Sequence, residues 1–296
     1  MASQYKRVQV IINPASGKNE PILNIINAAF AGSGIEWDAR ITHKFGDATR
    51  LAREAVEAGV DLVAGYGGDG TQLEIANGVH GTGVPMAILP GGTGNAMAFE
   101  LNVPRDLQQA VDLIVNINNT KAVDLGQIGD RVFLLRVYTC VEAESRASRE
   151  SKDRYGNLAY VAEGLKFAVR PPEAHYKVII DGEEREADVI MTYIFNAGAA
   201  GGISLPELAA VEVDDGLLDL YAISRGLRPL RALSEHVFNF GNFKTGIYHF
   251  QGQEITIEAD PPQNVWIDGE EYGLTPVTAR AVSYTHLTLP TTCNLC

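Results

Sequence analysis

Three glycine-rich stretches, each closing an apolar, β-branched run, carry the residues best suited to chemistry. Asn13-Pro14-Ala15-Ser16-Gly17-Lys18 closes RVQVIIN, Gly67-Gly68-Asp69-Gly70-Thr71 closes DLVAGYG, and Pro90-Gly91-Gly92-Thr93-Gly94-Asn95 closes VPMAILP. Without a Cβ, a glycine lets backbone N–H groups approach a phosphate. The helix that opens after each loop adds the positive end of its dipole. Ser16, Thr71, Thr93 and Asn95 supply further donors. One such loop is ordinarily a turn; three at successive strand ends describe a polyphosphate site.

Two common phosphate loops are excluded. Gly17-Lys18 lacks the earlier glycine of a G-x-x-x-x-G-K-[ST] loop. Gly65-Tyr66-Gly67-Gly68-Asp69-Gly70 matches G-x-G-x-x-G in letters, but it follows the third strand and no acidic residue ends the next strand, MAILP, to hold a ribose. Asp69 is an awkward neighbour for a phosphate unless the reaction needs a cation or a proton acceptor there.

The elements that position these loops alternate. RVQVIIN, EWDARIT, DLVAGYG and VPMAILP read as strands; PILNIINAAF, DATRLAREAVEAG (Asp47 as N-cap, Gly59 as stop), TQLEIANGV, AMAFEL and DLQQAVDLIVN read as helices. This grammar predicts an α/β domain with a parallel sheet and its ligand crevice at the strand C-termini. Beyond Asp124 it changes to hairpins: KAVDLGQIG with DRVFLLRVYT around Gly-Asp, and HYKVIIDGEEREADVIMTYIF around Asp-Gly, then DGLLDLYAIS, QEITIEAD and NVWIDGEEYG. The expected layout is an α/β domain over 1–124 and a mostly antiparallel β domain over 125–282. NLAYVAEGLKFAV, between the hairpins, has helical apolar spacing, which core packing explains by default and a lipid-entry groove as the alternative.

The composition narrows the partners. A net charge of −13 argues against nucleic acid, although Arg136, Arg146, Arg149, Lys152, Arg154, Lys166, Arg170 and Lys177 form a locally basic segment. The start lacks a signal-peptide core and no apolar run is long enough to span a membrane. Cys140 is the one cysteine outside the last residues, which fits a reducing, cytoplasmic setting. Ser283–Cys296 (SYTHLTLPTTCNLC) is Thr-rich without strand or helix period, resembles translated adapter sequence, and is read as a non-native tail.

Taken in order, Asn13-Pro14-x-Ser16-Gly17, Gly67-Gly68-Asp69-Gly70-Thr71 and Pro90-Gly91-Gly92-Thr93-Gly94-Asn95-x-x-Ala98 resemble the nucleotide-binding signature of the diacylglycerol kinase catalytic family, which includes sphingosine kinases and bacterial lipid kinases. Lys152-x-x-Tyr155-Gly156-x-x-Ala159-Tyr160, Asp214-Asp215-Gly216-x-Leu218-Asp219 and Asp268-Gly269-Glu270 extend the resemblance to about Val282. It implies a second domain that is a β-sandwich, an active site in the cleft between domains, and transfer of the γ-phosphate of ATP, with Mg2+, to a lipid hydroxyl presented at a membrane surface. A peripheral membrane location and a homodimer are compatible with it. Asn13, Ser16, Gly67, Gly68, Gly70, Thr71, Gly91, Gly92, Thr93 and Asn95 are the implied ATP contacts. Asp69 and Asp268 are the implied catalytic carboxylates, either able to be the general base, with Glu270 beside Asp268. Asp215 and Asp219 are the implied metal-associated pair, and Glu74 and Glu142 the implied acceptor-side acids. Two positions depart from the family pattern: Leu73 stands where Asn or His is usual, and Glu142 where an Asp is expected. A soluble-acceptor kinase of NAD kinase type and a nucleotide-binding regulator with a decayed acceptor site remain as alternatives.

Overall fold

The computed structural model describes residues 4–16, 19–116, 120–140, 173–198, 211–224 and 247–288. The chain forms two compact units, each drawn from separated stretches. Met1–Leu135, Asn196–Leu217 and Ala281–Cys296 make the first, Arg136–Phe195 and Leu218–Arg280 the second.

In the first unit, β1 (Arg7–Ile12), β2 (Glu36–Ile41), β3 (Leu62–Gly67) and β4 (Met86–Pro90) pair in parallel in the order β2-β1-β3-β4. β3 and β4 are buried along their whole length, as near-continuous apolar runs require, whereas β2 at the edge is mostly exposed. The expected helices form as α1 (Ile22–Phe30), α2 (Asp47–Glu57), α3 (Asp69–Val79), α4 (Ala96–Glu100) and α5 (Leu107–Asn116). α2 packs on α3 and α1 on α5. One boundary differs by a residue: Gly46, at φ 86°, is the N-cap of α2, and Asp47 is its first helical residue. The Asp47 carboxylate instead accepts the amides of His43 and Lys44 at 2.9 and 3.1 Å.

The first unit continues past Asp124 through β5 (Thr120–Ile128) and β6 (Arg131–Phe133), an antiparallel pair. A distant stretch holds it there. The Asp124 amide donates to the Val213 carbonyl at 2.6 Å, and the Asn196 side chain donates to the carbonyls of Asp124 and Leu134, each at 2.9 Å. Ala197 and Val213 join the same hydrophobic core as β1, β3 and β4.

In the second unit several strands, among them Arg136–Cys140, Ala174–Ile180 and Asn264–Ile267, alternate buried residues with more exposed ones. β7 (Arg136–Cys140), β10 (Met191–Phe195), β11 (Leu218–Ile223), β12 (Ile247–Gly252), β14 (Asn264–Ile267) and β15 (Glu270–Leu274) form an antiparallel sheet in the order β12-β11-β10-β7-β14-β15. β8 (Ala174–Ile180), β9 (Glu183–Val189) and β13 (Glu254–Asp260) form a second, with Val277–Arg280 of β16 (Val277–Thr288) at β13. Val137, Ile194, Leu220 and Val265 from one sheet and Tyr176, Val178, Ile255 and Ile257 from the other are buried. The Thr139 hydroxyl donates across to Tyr176 Oη at 3.0 Å, so the two sheets stack as a sandwich. The β8–β9 hairpin turns at Asp181-Gly182, whose φ values of 49° and 88° are both left-handed.

β16 runs through Ser283 to Thr288, and its Leu287 pairs in parallel with Met86 of β4. The sequence there has no strand period. Backbone pairing with β4 needs none, because it uses main-chain groups alone.

Candidate functional site

The three glycine loops lie at the C-terminal ends of β1, β3 and β4, and they are tied to one another. Asn13 Nδ2 donates to Thr71 Oγ1 at 3.0 Å, joining the first loop to the second. The Gly91 amide donates to the Gly67 carbonyl at 2.9 Å, joining the third to the second. The Met97 amide donates to Asp69 Oδ1 at 3.2 Å, so the loop-two carboxylate also holds the start of α4. Within the third loop, Asn95 accepts the Gly92 amide at 2.8 Å and donates to the Gly92 carbonyl at 2.6 Å. Asn95 itself is buried, with φ 51°.

This interlocking explains part of the glycine pattern. A Cβ on Gly92 would stand 2.5 Å from the Gly68 Cα, backbone against backbone, and one on Gly67 would strike the Thr71 side chain. These glycines serve the approach of loop to loop. Gly70 differs: a Cβ there would meet nothing within 4 Å, and its φ is not left-handed. Among the described residues no neighbour requires glycine at that position, which is exposed. Thr93 and Gly94 are exposed at the tip of the third loop and Pro14 and Ala15 at the tip of the first. Ser16 is half-buried, its hydroxyl 3.2 Å from the Asn13 carbonyl. Gly17 and Lys18 lie outside the described residues.

Asp69 is the first residue of α3 and is half-buried among the loops. A Cβ on Gly94 would come within 3.2 Å of its Oδ2, so that oxygen faces the third loop. Leu73, at the position that departs from the family pattern, is 4 % exposed and belongs to the core. Glu74 Oε2 accepts the amides of Gly46 and Ala48 at 3.0 and 2.9 Å. That carboxylate fixes the start of α2, a structural use the sequence did not disclose.

The other expected residues are distributed over both units. Asp268 and Glu270 belong to the second. Asp268 and Gly269, at φ 47° and 90°, make the turn between β14 and β15, and Asp268 Oδ1 accepts the Arg136 amide at 2.8 Å. Asp181 has the same turn geometry and accepts the amides of Gln253 and Glu254. Backbone shape therefore does not set Asp268 apart from an ordinary turn-former. Asp215 is in the first unit, where its Oδ1 accepts the Leu217 amide at 2.9 Å. Asp219 is in the second, fully buried on β11, 2.5 Å from His249 Nε2, and its Oδ2 has no partner among the described residues. Neither unit by itself holds both carboxylates. Among the described residues no group of three potential metal ligands comes together. Glu142 lies outside the described residues, as do the Lys152–Tyr160 motif and the helix-like NLAYVAEGLKFAV.

Asp124 is a further acid that sequence reading used only as a boundary. It is 5 % exposed and its Oδ2 accepts the Gly216 amide at 2.7 Å. Burial pushes its carboxyl above the ordinary range, Asp215 and Asp214 push the same way, and the Gly216 amide pulls against them. An Asp within the apolar run Ala122–Leu125 was the available signal.

The loop geometry is the setting in which family matches carry weight. Residues 7–128 match the model of the diacylglycerol kinase catalytic domain, and residues 136–289 that of the YegS C-terminal NAD kinase beta sandwich-like domain. The chain belongs to the diacylglycerol kinase family. A diacylglycerol kinase of Staphylococcus carnosus is 24% identical, the match covering 92% of this chain and 90% of that protein. An uncharacterized protein of Synechocystis is 28% identical over 95% of this chain and 70% of that protein. A solved structure of a diacylglycerol kinase from Bacillus anthracis superimposes with a TM-score of 0.79 at 25% identity, covering 98% of this chain and 99% of that one. In this diacylglycerol kinase family chain, both the parallel-sheet unit and the β-sandwich fall within matched regions, and the sandwich match extends into β16 as far as residue 289.

Proposed function

We propose that this chain is an ATP-dependent lipid kinase that transfers the γ-phosphoryl group to the hydroxyl of a diacylglycerol or related lipid. The observation that carries the reading is the interlocked set of three glycine loops at the strand C-termini, with Asp69 among them. Phosphoryl transfer is mainly positioning and charge neutralisation, so a rigid cradle of backbone donors is the principal protein contribution. The amides and side chains of Asn13, Ser16, Gly67, Gly68, Gly70, Thr71, Gly91, Gly92, Thr93 and Asn95 surround the nucleotide phosphates in this reading. The acceptor oxygen attacks the γ-phosphorus, the bond from that phosphorus to the β–γ bridging oxygen breaks, and the hydroxyl proton passes to a carboxylate. Asp69 and Asp268 are the candidates for that carboxylate, with Glu270 beside the latter and Glu74 and Glu142 on the acceptor side. Mg2+, bound with the nucleotide, would offset phosphate charge. Asp215 and Asp219 remain the proposed metal-associated acids, and the unpartnered Oδ2 of Asp219 suits a cation. The lipid would be presented at a membrane surface, and no helix among the described residues is long and apolar enough to cross one.

The test incubates the chain with γ-labelled ATP, Mg2+, NAD and mixed micelles of diacylglycerols and sphingoid bases, then counts the organic phase and the separated soluble products. Label in a lipid phosphate is expected. Label only in a soluble acceptor such as NAD would replace this reading with that of a soluble-acceptor kinase. Tight ATP binding with no transfer would replace it with that of a regulator.

A further inference from the structure

Tyr66 meets all three glycine loops, yet it is none of the residues assigned to phosphate or acceptor above. It stands on β3, the strand between β1 and β4, and leads directly into the second loop at Gly67. Its carbonyl accepts the Asn13 amide at 2.9 Å, where the first loop begins. Its hydroxyl donates to Glu20 Oε1 at 2.6 Å, where the chain has left that loop and is about to enter α1. Its ring lies against the third loop: a Cβ on Gly91 would stand 2.8 Å from Tyr66 Cε1 and Cζ.

Core packing accounts for the ring, which is fully buried, but not for the hydroxyl. Phenylalanine would fill nearly the same volume and leave no buried polar group to satisfy. The acceptor needs a reason as well. Glu20 is half-buried next to a loop read as a phosphate site, where a carboxylate adds like-charge repulsion. Its hydrogen bond aims one oxygen at the buried hydroxyl, and its backbone carbonyl accepts the Ile22 amide at 2.9 Å. The first loop is thus anchored at both ends on one residue, through a main-chain carbonyl at Asn13 and a charge-assisted side-chain bond at Glu20.

We infer that Tyr66 is a positioning residue for the nucleotide, and that its hydrogen bond to Glu20 holds the first loop at the spacing from the other two that ATP requires. The inference rests on the reading of the loops as an ATP cradle, and it is tested by ATP binding, which does not depend on turnover. ATP affinity, the KM for ATP and the unfolding midpoint would be measured on the same samples of the full chain. Tyr66→Phe, which keeps the ring under Gly91, is expected to weaken ATP binding roughly tenfold, the scale of a hydrogen bond to a charged group. The KM for ATP should rise with it, by more than kcat falls. Glu20→Ala, at a half-buried position, should reproduce that loss even if Tyr66→Phe folds poorly. Glu20→Gln should bind ATP as the parent does, because its amide oxygen accepts the same bond. The double variant Tyr66→Phe with Glu20→Ala should lose no more than either single one, as partners in one contact do. Unchanged ATP affinity in Tyr66→Phe and Glu20→Ala, with only the unfolding midpoint lowered, would overturn the inference and leave the pair a purely structural contact. Additive losses in the double variant, or a loss in Glu20→Gln equal to that in Glu20→Ala, would overturn it too. Coupled losses of ATP affinity in a chain that labels no lipid would keep the inference and reject the lipid-kinase reading. A parent that binds no ATP would overturn both.

Discussion

Asp69 and the glycines around it act in two capacities, and single substitutions should separate them. Gly92→Ala places a methyl 2.5 Å from the Gly68 Cα, a backbone clash that no rotamer relieves. It should cost about 1–3 kcal/mol, read as a lower unfolding midpoint, and weaken ATP binding because loops two and three are forced apart. Gly70→Ala meets nothing and has no left-handed φ, so it should keep the parent's stability and lose nucleotide affinity alone. The presence of the loops was plain in the sequence. The division of labour among their glycines was not, because it depends on which loop lies against which. Asp268 gives the converse lesson: its motif was legible, yet the turn it forms matches that of Asp181.

At the scale of the element, strand–helix alternation was readable because each strand is an apolar run and each helix has a buried stripe. What escaped was how the elements are pinned. Glu74, on α3, accepts two amides at the start of α2, so Glu74→Ala should cost about 0.5–2 kcal/mol, as loss of a helix cap does, measured by denaturant unfolding. Asp47 adds a pH dependence. The His43 amide, with Arg50, holds its carboxyl at about 2, below the ordinary 3.8. The group therefore adds stability that is fully present above about pH 4 and is lost as pH falls towards 2; Asp47→Asn should flatten the stability profile in that window. In the sandwich, burial pushes Tyr176 up to about 12 against the donation from Thr139. Stability should fall as pH rises from about 10, where the unfolded chain ionises, towards 12, and an ultraviolet titration should show Tyr176 among the tyrosines that ionise late, with Tyr193 and Tyr5 also pushed up by burial.

Over the whole molecule, the two-part character was legible from the change of grammar near Asp124, while the composition of each unit was not. Asn196–Leu217 and Ala281–Cys296 belong with the first unit. Hydrogen bonds from Asn196 to Asp124 and Leu134, and from Asp124 to Val213, close that unit across long separations in sequence that no local pattern records. The strand at Ser283–Thr288 was missed because its sequence shows no strand period. The central claim, that the interlocked loops cradle ATP for transfer to a lipid with Asp69 taking part in the chemistry, is tested most directly by one comparison. Initial rates of γ-label transfer to diacylglycerol would be measured for the parent and Asp69→Asn, with ATP affinity determined on the same samples. The account predicts a rate lowered by about 10²-fold or more, with folding and ATP binding retained. A normal rate in Asp69→Asn would contradict it.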